Sequence, residues 1–216
     1  CSSDLALINW AANTERALVT DASADLYEDL PVNAPKMSRP AFIATLAARL
    51  GKLKAHQKEL AKAAEIGSQV HAQIEWNLRK ERGEVVGESP RLADQALWAF
   101  MVWEEWRKQA ELTPLAIEQT IWSTTHRYAG TLDLYAAVTL EAGPVTAVFD
   151  WKSGKAIYEE AILQNAAYIQ ALIEMGHATA PVWGVIVRVP KVETDPAPEI
   201  SIVTPAEQRG AFQAFL

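Results

Sequence analysis

The sequence predicts an α/β fold, a mixed central sheet flanked by helices, with a helical region at its N-terminal end. Three observations carry that prediction. Residues 41–82 are rich in Ala and Leu and contain no proline, which is the composition of helix. After Pro114 the pattern changes to strand over about 116–123, 129–140 and 145–152. A helical stretch from Glu159 to Met175 then leads to the β-branched run from Val182 to Val189. A strand that returns to the sheet after a helix makes a mixed sheet the natural outcome.

Taken in order, residues 4–18 (DLALINWAANTERAL) predict a short helix with Trp10 on its apolar side, and a polar, proline-bearing stretch runs from Asp21 to Pro40. The long helical stretch follows, with Gly67 as the point where it divides. Gly83, Gly87 and Pro90 mark a loop. Residues 91–110 form the next helix and carry Trp98, Trp103 and Trp106. The three strands come next, then the helix that Gly176 caps at its C-terminal end. Residues 199–203 are a last strand. The expected division is a helical region over 1–60 packed on a core over 61–216, one globular domain overall.

Composition narrows the function. With 216 residues, half of them apolar, the chain is long enough to bury one sizeable core. No apolar run reaches the roughly 18 residues of a membrane span. A net charge of −7 argues against a broad, sequence-independent nucleic-acid surface, which demands excess Lys and Arg. It does not argue against a nuclease, whose metal ligands are themselves acidic. A single cysteine, Cys1, rules out an internal disulfide and a four-cysteine cluster. Cys1-Ser2-Ser3-Asp4 has the look of a lipidated start, but a truncated N-terminus is the simpler expectation.

The most informative residues are charges at strand ends. Asp150-Trp151-Lys152 closes the apolar run from Val145, and Asp133 lies in Gly130-Thr131-Leu132-Asp133-Leu134. Charge placed there is costly unless it is paired or bound to metal. Strand side chains alternate, so Asp150 and Lys152 share a face and Trp151 points the other way, into the core. A two-residue turn at Glu141-Ala142 sets Asp133 opposite Asp150, and a turn at Ala142-Gly143 sets it opposite Lys152. Either register brings the three side chains within roughly 5–8 Å on one face. A three-residue loop would turn Asp133 to the wrong side.

These residues and their order resemble the PD-(D/E)XK nuclease superfamily, in its RecB-like and phage-exonuclease branch, over roughly residues 61–190. Gly130-Thr131-Leu132-Asp133-Leu134 is similar to the first acidic motif and Asp150-Trp151-Lys152 to the second. Gly67-Ser68-Gln69-Val70-His71 resembles the helix that supplies a histidine ligand, and Gln164-Asn165-Ala166-Ala167-Tyr168 the Gln-x-x-x-Tyr helix. Asn9-Trp10-Ala11-Ala12-Asn13 is similar to phage-type members. The resemblance implies a restriction-endonuclease-like core with Asp133 and Asp150 as metal ligands and Lys152 assisting the nucleophile. Some relatives clamp the fold with an iron–sulfur cluster, which the single cysteine of this chain cannot hold.

Residue chemistry points the same way. Mg²⁺ and Mn²⁺ prefer oxygen ligands, and Asp133, Asp150 and the Trp151 carbonyl supply them. His71 adds a nitrogen, which favours tolerance of Mn²⁺. Lys152 would orient a water or stabilise the charged phosphate. Each has a plainer alternative. His71 alone reads as a structural histidine, although Gly67, His71 and Glu75 recur at helical spacing on one face and the small Gly67 permits close approach to the sheet. Glu75 is a second-shell partner or a solvated acid. Glu118, on the strand before Asp133, is an extra acid or a surface residue. Gln164 and Tyr168 share a helix face, either orienting Lys152 and touching DNA or simply packing. Arg127 and Lys155 flank the acidic motifs as phosphate contacts or ordinary loop charges. Lys54, Lys58 and Lys62 read as a solvated stripe, and most tryptophans as core.

The expected function is a Mg²⁺- or Mn²⁺-dependent DNA exonuclease of phage or bacterial recombination and repair. Single-stranded DNA or duplex ends would be its substrate, and a recombination protein is a candidate partner. The expected location is the cytoplasm of a bacterial or phage-infected cell, without a membrane. An endonuclease is the alternative within the class. A non-catalytic DNA-binding module is the alternative outside it, and a lipid-anchored envelope protein rests on Cys1 alone.

Overall fold

The computed structural model describes residues 17, 19–20, 38–50, 55–192, 194–195 and 197–216. They belong to two compact units, residues 1–65 and residues 66–216. In the first, residues 17, 19 and 20 are helical and helix α1 spans Arg39–Leu50. Apart from residue 17, the expected helix over 4–18 lies outside the described residues, as does most of the polar stretch. Helix α2 spans Ala55–Glu81 and carries the chain into the second unit. It runs unbroken through Gly67, which corrects the expected division there. Gly67 serves packing: a Cβ at that position would lie 3.1 Å from Ser153 Oγ, so its absence lets the helix pass close to the end of a strand.

The second unit continues with helix α3 (Asp94–Gln109), strands β1 (Leu112–Ser123), β2 (Tyr128–Leu140) and β3 (Gly143–Lys152), helix α4 (Glu159–Glu174), strands β4 (Trp183–Arg188) and β5 (Glu199–Val203), and helix α5 (Pro205–Phe215). The described strands make one five-stranded sheet in the order β1-β2-β3-β4-β5. Only the β3–β4 pair in it is parallel, because α4 carries the chain back across the sheet. This is the expected mixed sheet between helices. Strand β1 begins at Leu112 rather than after Pro114, and its register shifts between Pro114 and Ala116. A proline in an edge strand, beside such an irregularity, leaves no ladder bond missing.

One face of the sheet presents Leu134, Ala136, Ala147, Phe149, Trp151 and Val187 to α2 and α3, whose Val70, Ile74, Leu78, Ala99 and Trp103 complete the core. Trp151 sits edge-on to Trp103 and Trp106, each with centroids 5.9 Å away. The other face packs Ile121, Leu132 and Val148 against Ile169 and Leu172 of α4. Asn165 pins α4 to the sheet by donating to the Val148 carbonyl at 3.1 Å. Gly184 leaves the space that Asn165 Oδ1 fills. The tryptophans divide: Trp103 and Trp151 are fully buried, whereas Trp122 is about half exposed.

Helix ends follow local chemistry. At the end of α4, Gly176 takes φ 74° and its N–H bonds the Ile173 carbonyl while His177 N–H bonds that of Leu172, the paired bonds of a glycine-terminated helix. Helix α5 opens with a capping box between Thr204 and Glu207, with Pro205 in the first turn. Among the described residues no helix is long and apolar enough to cross a membrane.

Glu174, at the end of α4, holds the β1–β2 turn. Its carboxylate accepts from Ser123 Oγ at 2.6 Å and from the backbone N–H groups of Thr124 and Thr125 at 2.9 and 3.1 Å. These bonds, Ser123's foremost, pull its pKa down from 4.5 to about 2. A carboxylate whose pKa falls on folding contributes stability above its unfolded pKa and loses it as pH falls through the folded one. Glu174→Gln should therefore lower Tm at neutral pH. That difference from wild type should shrink as pH drops from 4.5 toward about 2 in thermal unfolding scans.

Candidate metal and phosphodiester site

The site forms where two paired strands part. The β2–β3 ladder runs from Leu140↔Gly143 to Leu134↔Phe149 and stops there. The hairpin thus turns on Glu141-Ala142, the first of the two registers above, with Asp133 and Asp150 as the next opposed positions. Beyond that point β2 stays with β1 as far as Ser123↔Tyr128, and β3 stays with β4 as far as Lys152↔Arg188. Parting leaves the Trp151 peptide without a strand partner on the β2 side. Side chains take its place: Trp151 N–H donates to Asp133 Oδ2 at 2.7 Å, and His71 Nε2 donates to the Trp151 carbonyl at 2.9 Å. Buried backbone groups demand such partners.

His71 stands one turn after Gly67, so the close passage of α2 over Ser153 also brings the imidazole to the fork. Its Nδ1 lies 3.4 Å from Asp133 Oδ1. Burial lowers the His71 pKa, but the hydrogen bond and charge of Asp133 more than offset this, and the net shift is upward. The imidazolium is the form that donates from both ring nitrogens.

Asp150 is 3 % exposed, and its Oδ2 faces Lys152 Nζ at 2.7 Å. Among the described residues no hydrogen-bond donor is aligned on that buried oxygen. Burial, then the charge of Asp133, push the Asp150 carboxyl up to about 6 despite the lysine. Lys152 Nζ also donates to Gln164 Oε1 at 3.1 Å, and Gln164 Nε2 donates to Tyr168 Oη at 3.0 Å. Lys152, Gln164 and Tyr168 therefore form one chain of bonds from β3 to α4. Burial, followed by the charges of Asp150 and Asp133, raises the Tyr168 pKa, so its hydroxyl stays protonated.

Tyr168 is fixed from beneath by Gly130, where a Cβ would lie 2.6 Å from Tyr168 Cε1. Gly130→Ala should displace the ring and cost about 1–3 kcal/mol, the usual penalty of overpacking. In a Tyr168→Ala background the same substitution should cost less, a coupling that a double-mutant cycle of denaturant unfolding would measure.

Glu118 is half-buried beside Asp133 rather than free on the surface. It takes φ 46°, a left-handed conformation costly for glutamate, between the paired residues Ile117 and Gln119 and opposite Asp133. Burial first, then Asp133, raise its carboxyl to about 7. His71, Glu118 and Asp133 can each offer one ligand atom with all three within 4.8 Å of one another. The positive φ that turns Glu118 inward has no sequence signature, but its place opposite Asp133 follows once the β1–β2 pairing is known.

Of the other expected residues, Glu75 lies close enough for its charge to raise the Glu118 pKa further. Glu75 pairs with Arg79 at 2.8 Å, one turn along α2. Arg127 is exposed in the β1–β2 turn at φ 60°, and Lys155 is exposed in the loop after β3. Against known proteins, the chain matches no family model, and no curated protein matches it.

Proposed function

We propose that this chain is a divalent-metal-dependent deoxyribonuclease with a restriction-endonuclease-like core, of the RecB-like and phage-exonuclease kind. The observation that carries the reading is the convergence of Asp133, Asp150, Lys152 and His71 at one strand fork. Three carboxylates, counting Glu118, crowd a site whose positive charges are Lys152, His71 and, acting on Glu118, Arg79. Two of them, Asp150 and Glu118, have pKa values raised by burial and by Asp133, which marks negative charge in want of a counter-ion.

The donor set suits Mg²⁺ or Mn²⁺: carboxylates of Asp133 and Asp150, the Trp151 carbonyl, and His71 as the nitrogen that admits Mn²⁺. Among the described residues His71, Glu118 and Asp133 bring one ligand atom each within 4.8 Å of one another, so Glu118 is a further candidate donor. When bound, such an ion lowers the pKa of a water and neutralises charge on the phosphate. The protein's own groups supply the rest. Lys152, held by Asp150 and Gln164, presents its ammonium to the attacking water or to the phosphate oxygens. Tyr168 fixes the Gln164 amide, which keeps Lys152 from swinging to solvent. Asp133 holds the Trp151 peptide in place between the two acids by accepting from its N–H.

An exonuclease should degrade end-labelled linear DNA and leave a covalently closed circle intact. Cutting of the circle would move the assignment to an endonuclease.

A further inference from the structure

Two cavities share Gln164 in their linings. One, of about 310 Å³, is lined by Lys152, Tyr158, Glu160 and Gln164 among others. Its neighbour, of about 350 Å³, is lined by Tyr128, Glu160, Leu163, Gln164, Tyr168 and Phe215, with Ala129 and Ala214. Glu160 and Gln164, one helical turn apart on α4, belong to both walls and form the ridge between them. The ridge meets the candidate site directly, because Gln164 Oε1 accepts from Lys152 Nζ.

Both cavities offer aromatic surface to solvent. Tyr158 is 58 % and Phe215 39 % exposed, and the Phe215 ring stands edge-on to Tyr128 with centroids 5.2 Å apart. Neither suits a phosphate. The Glu160 carboxylate lines both, and Lys152, the one cation among the lining residues, is already paired with Asp150. What fits is flat, uncharged and able to stack. On a nucleic-acid strand that is the base.

Resting on the nuclease reading above, we infer that the two bases flanking the scissile phosphate are held unpaired, one in each cavity, with the Glu160–Gln164 ridge between them. Stacked neighbours in a duplex are about 3.4 Å apart, too close for a side chain to stand between. The substrate is therefore a single strand or a frayed end. Recognition through bases also suits a protein of net charge −7, whose 27 acidic residues outnumber its 20 lysines and arginines.

The test is fluorescence anisotropy of the whole chain, in EDTA, with a labelled mixed-sequence single strand and an abasic strand of the same length. Tyr158→Ala and Phe215→Ala should each weaken binding of the base-bearing strand about tenfold, the worth of one stacked base. Binding of the abasic strand should be unchanged, and Tyr158→Phe should bind as wild type does. The proposal is overturned if either alanine variant binds the base-bearing strand as tightly as wild type, if both strands lose equally, or if wild type binds no single strand. Cleavage is scored separately. Base-dependent binding without metal-dependent cutting would remove the nuclease reading and leave the cavities as base sites; cutting without base-dependent binding would do the reverse.

Discussion

Lys152→Ala should eliminate metal-dependent DNA cleavage and leave the protein folded. Lys152 ends β3 with its side chain about one-third exposed, so its removal opens no cavity in the core. What is lost is the ammonium beside Asp150 and the donor to Gln164. A preorganised charge aimed at a reacting phosphate is worth on the order of 10²–10³ in rate. Asp150→Asn should do at least as much harm, since it keeps the shape and removes a charged ligand. The fold should tolerate the lysine change because Asp150 can protonate. Lys152 holds its pKa down, so without the lysine the carboxyl shifts further upward and sheds the cost of a buried, unpaired charge. Circular dichroism and Tm of the variant, beside the cleavage rate, separate lost chemistry from lost structure.

Trp151→Ala should be the most destabilising single change near the site, at about 3–5 kcal/mol. The ring is 2 % exposed and packs among Trp103, Trp106 and Phe149. Its effect should reach the fork, because the same residue's N–H and carbonyl engage Asp133 and His71. Core and candidate site therefore share one residue, with the side chain in one and the peptide in the other. Denaturant unfolding gives the stability loss, and a Trp151→Phe variant should recover much of it by refilling the core.

The readable part of this molecule was periodic. Alternation over 129–140 and 145–152 placed Asp150 and Lys152 on one face with Trp151 on the other, since strand parity needs no tertiary information. The four-residue steps from Gly67 to His71 and from Gln164 to Tyr168 put each pair on one helix face for the same reason. Register was only narrowed, because it depends on whether the turn takes Glu141-Ala142 or Ala142-Gly143, and local sequence allows both. Gly67 admits two readings, because a glycine that breaks a helix and one that lets it approach a sheet look alike in sequence; the close approach holds and the break does not. Only Ser153 beneath it tells them apart. Glu118 stayed ambiguous because its inward turn needs a positive φ that glutamate rarely adopts. Helix α5 was missed although Thr204-Pro205-Ala206-Glu207 carries a complete start signal. With eleven residues and Gly210 inside it, the segment is at the short limit at which a helical period can be read.

The claim on which the rest depends is that the fork holding Asp133, Asp150 and Lys152 cuts phosphodiesters with a divalent ion. Labelled single- and double-stranded DNA should be incubated with the wild-type chain in Mg²⁺, in Mn²⁺ and in EDTA, with Lys152→Ala in parallel. The predicted result is fragments from wild type in either metal, none in EDTA and none from the variant. Wild type inert toward both substrates in both metals, or a variant as active as wild type, would contradict it.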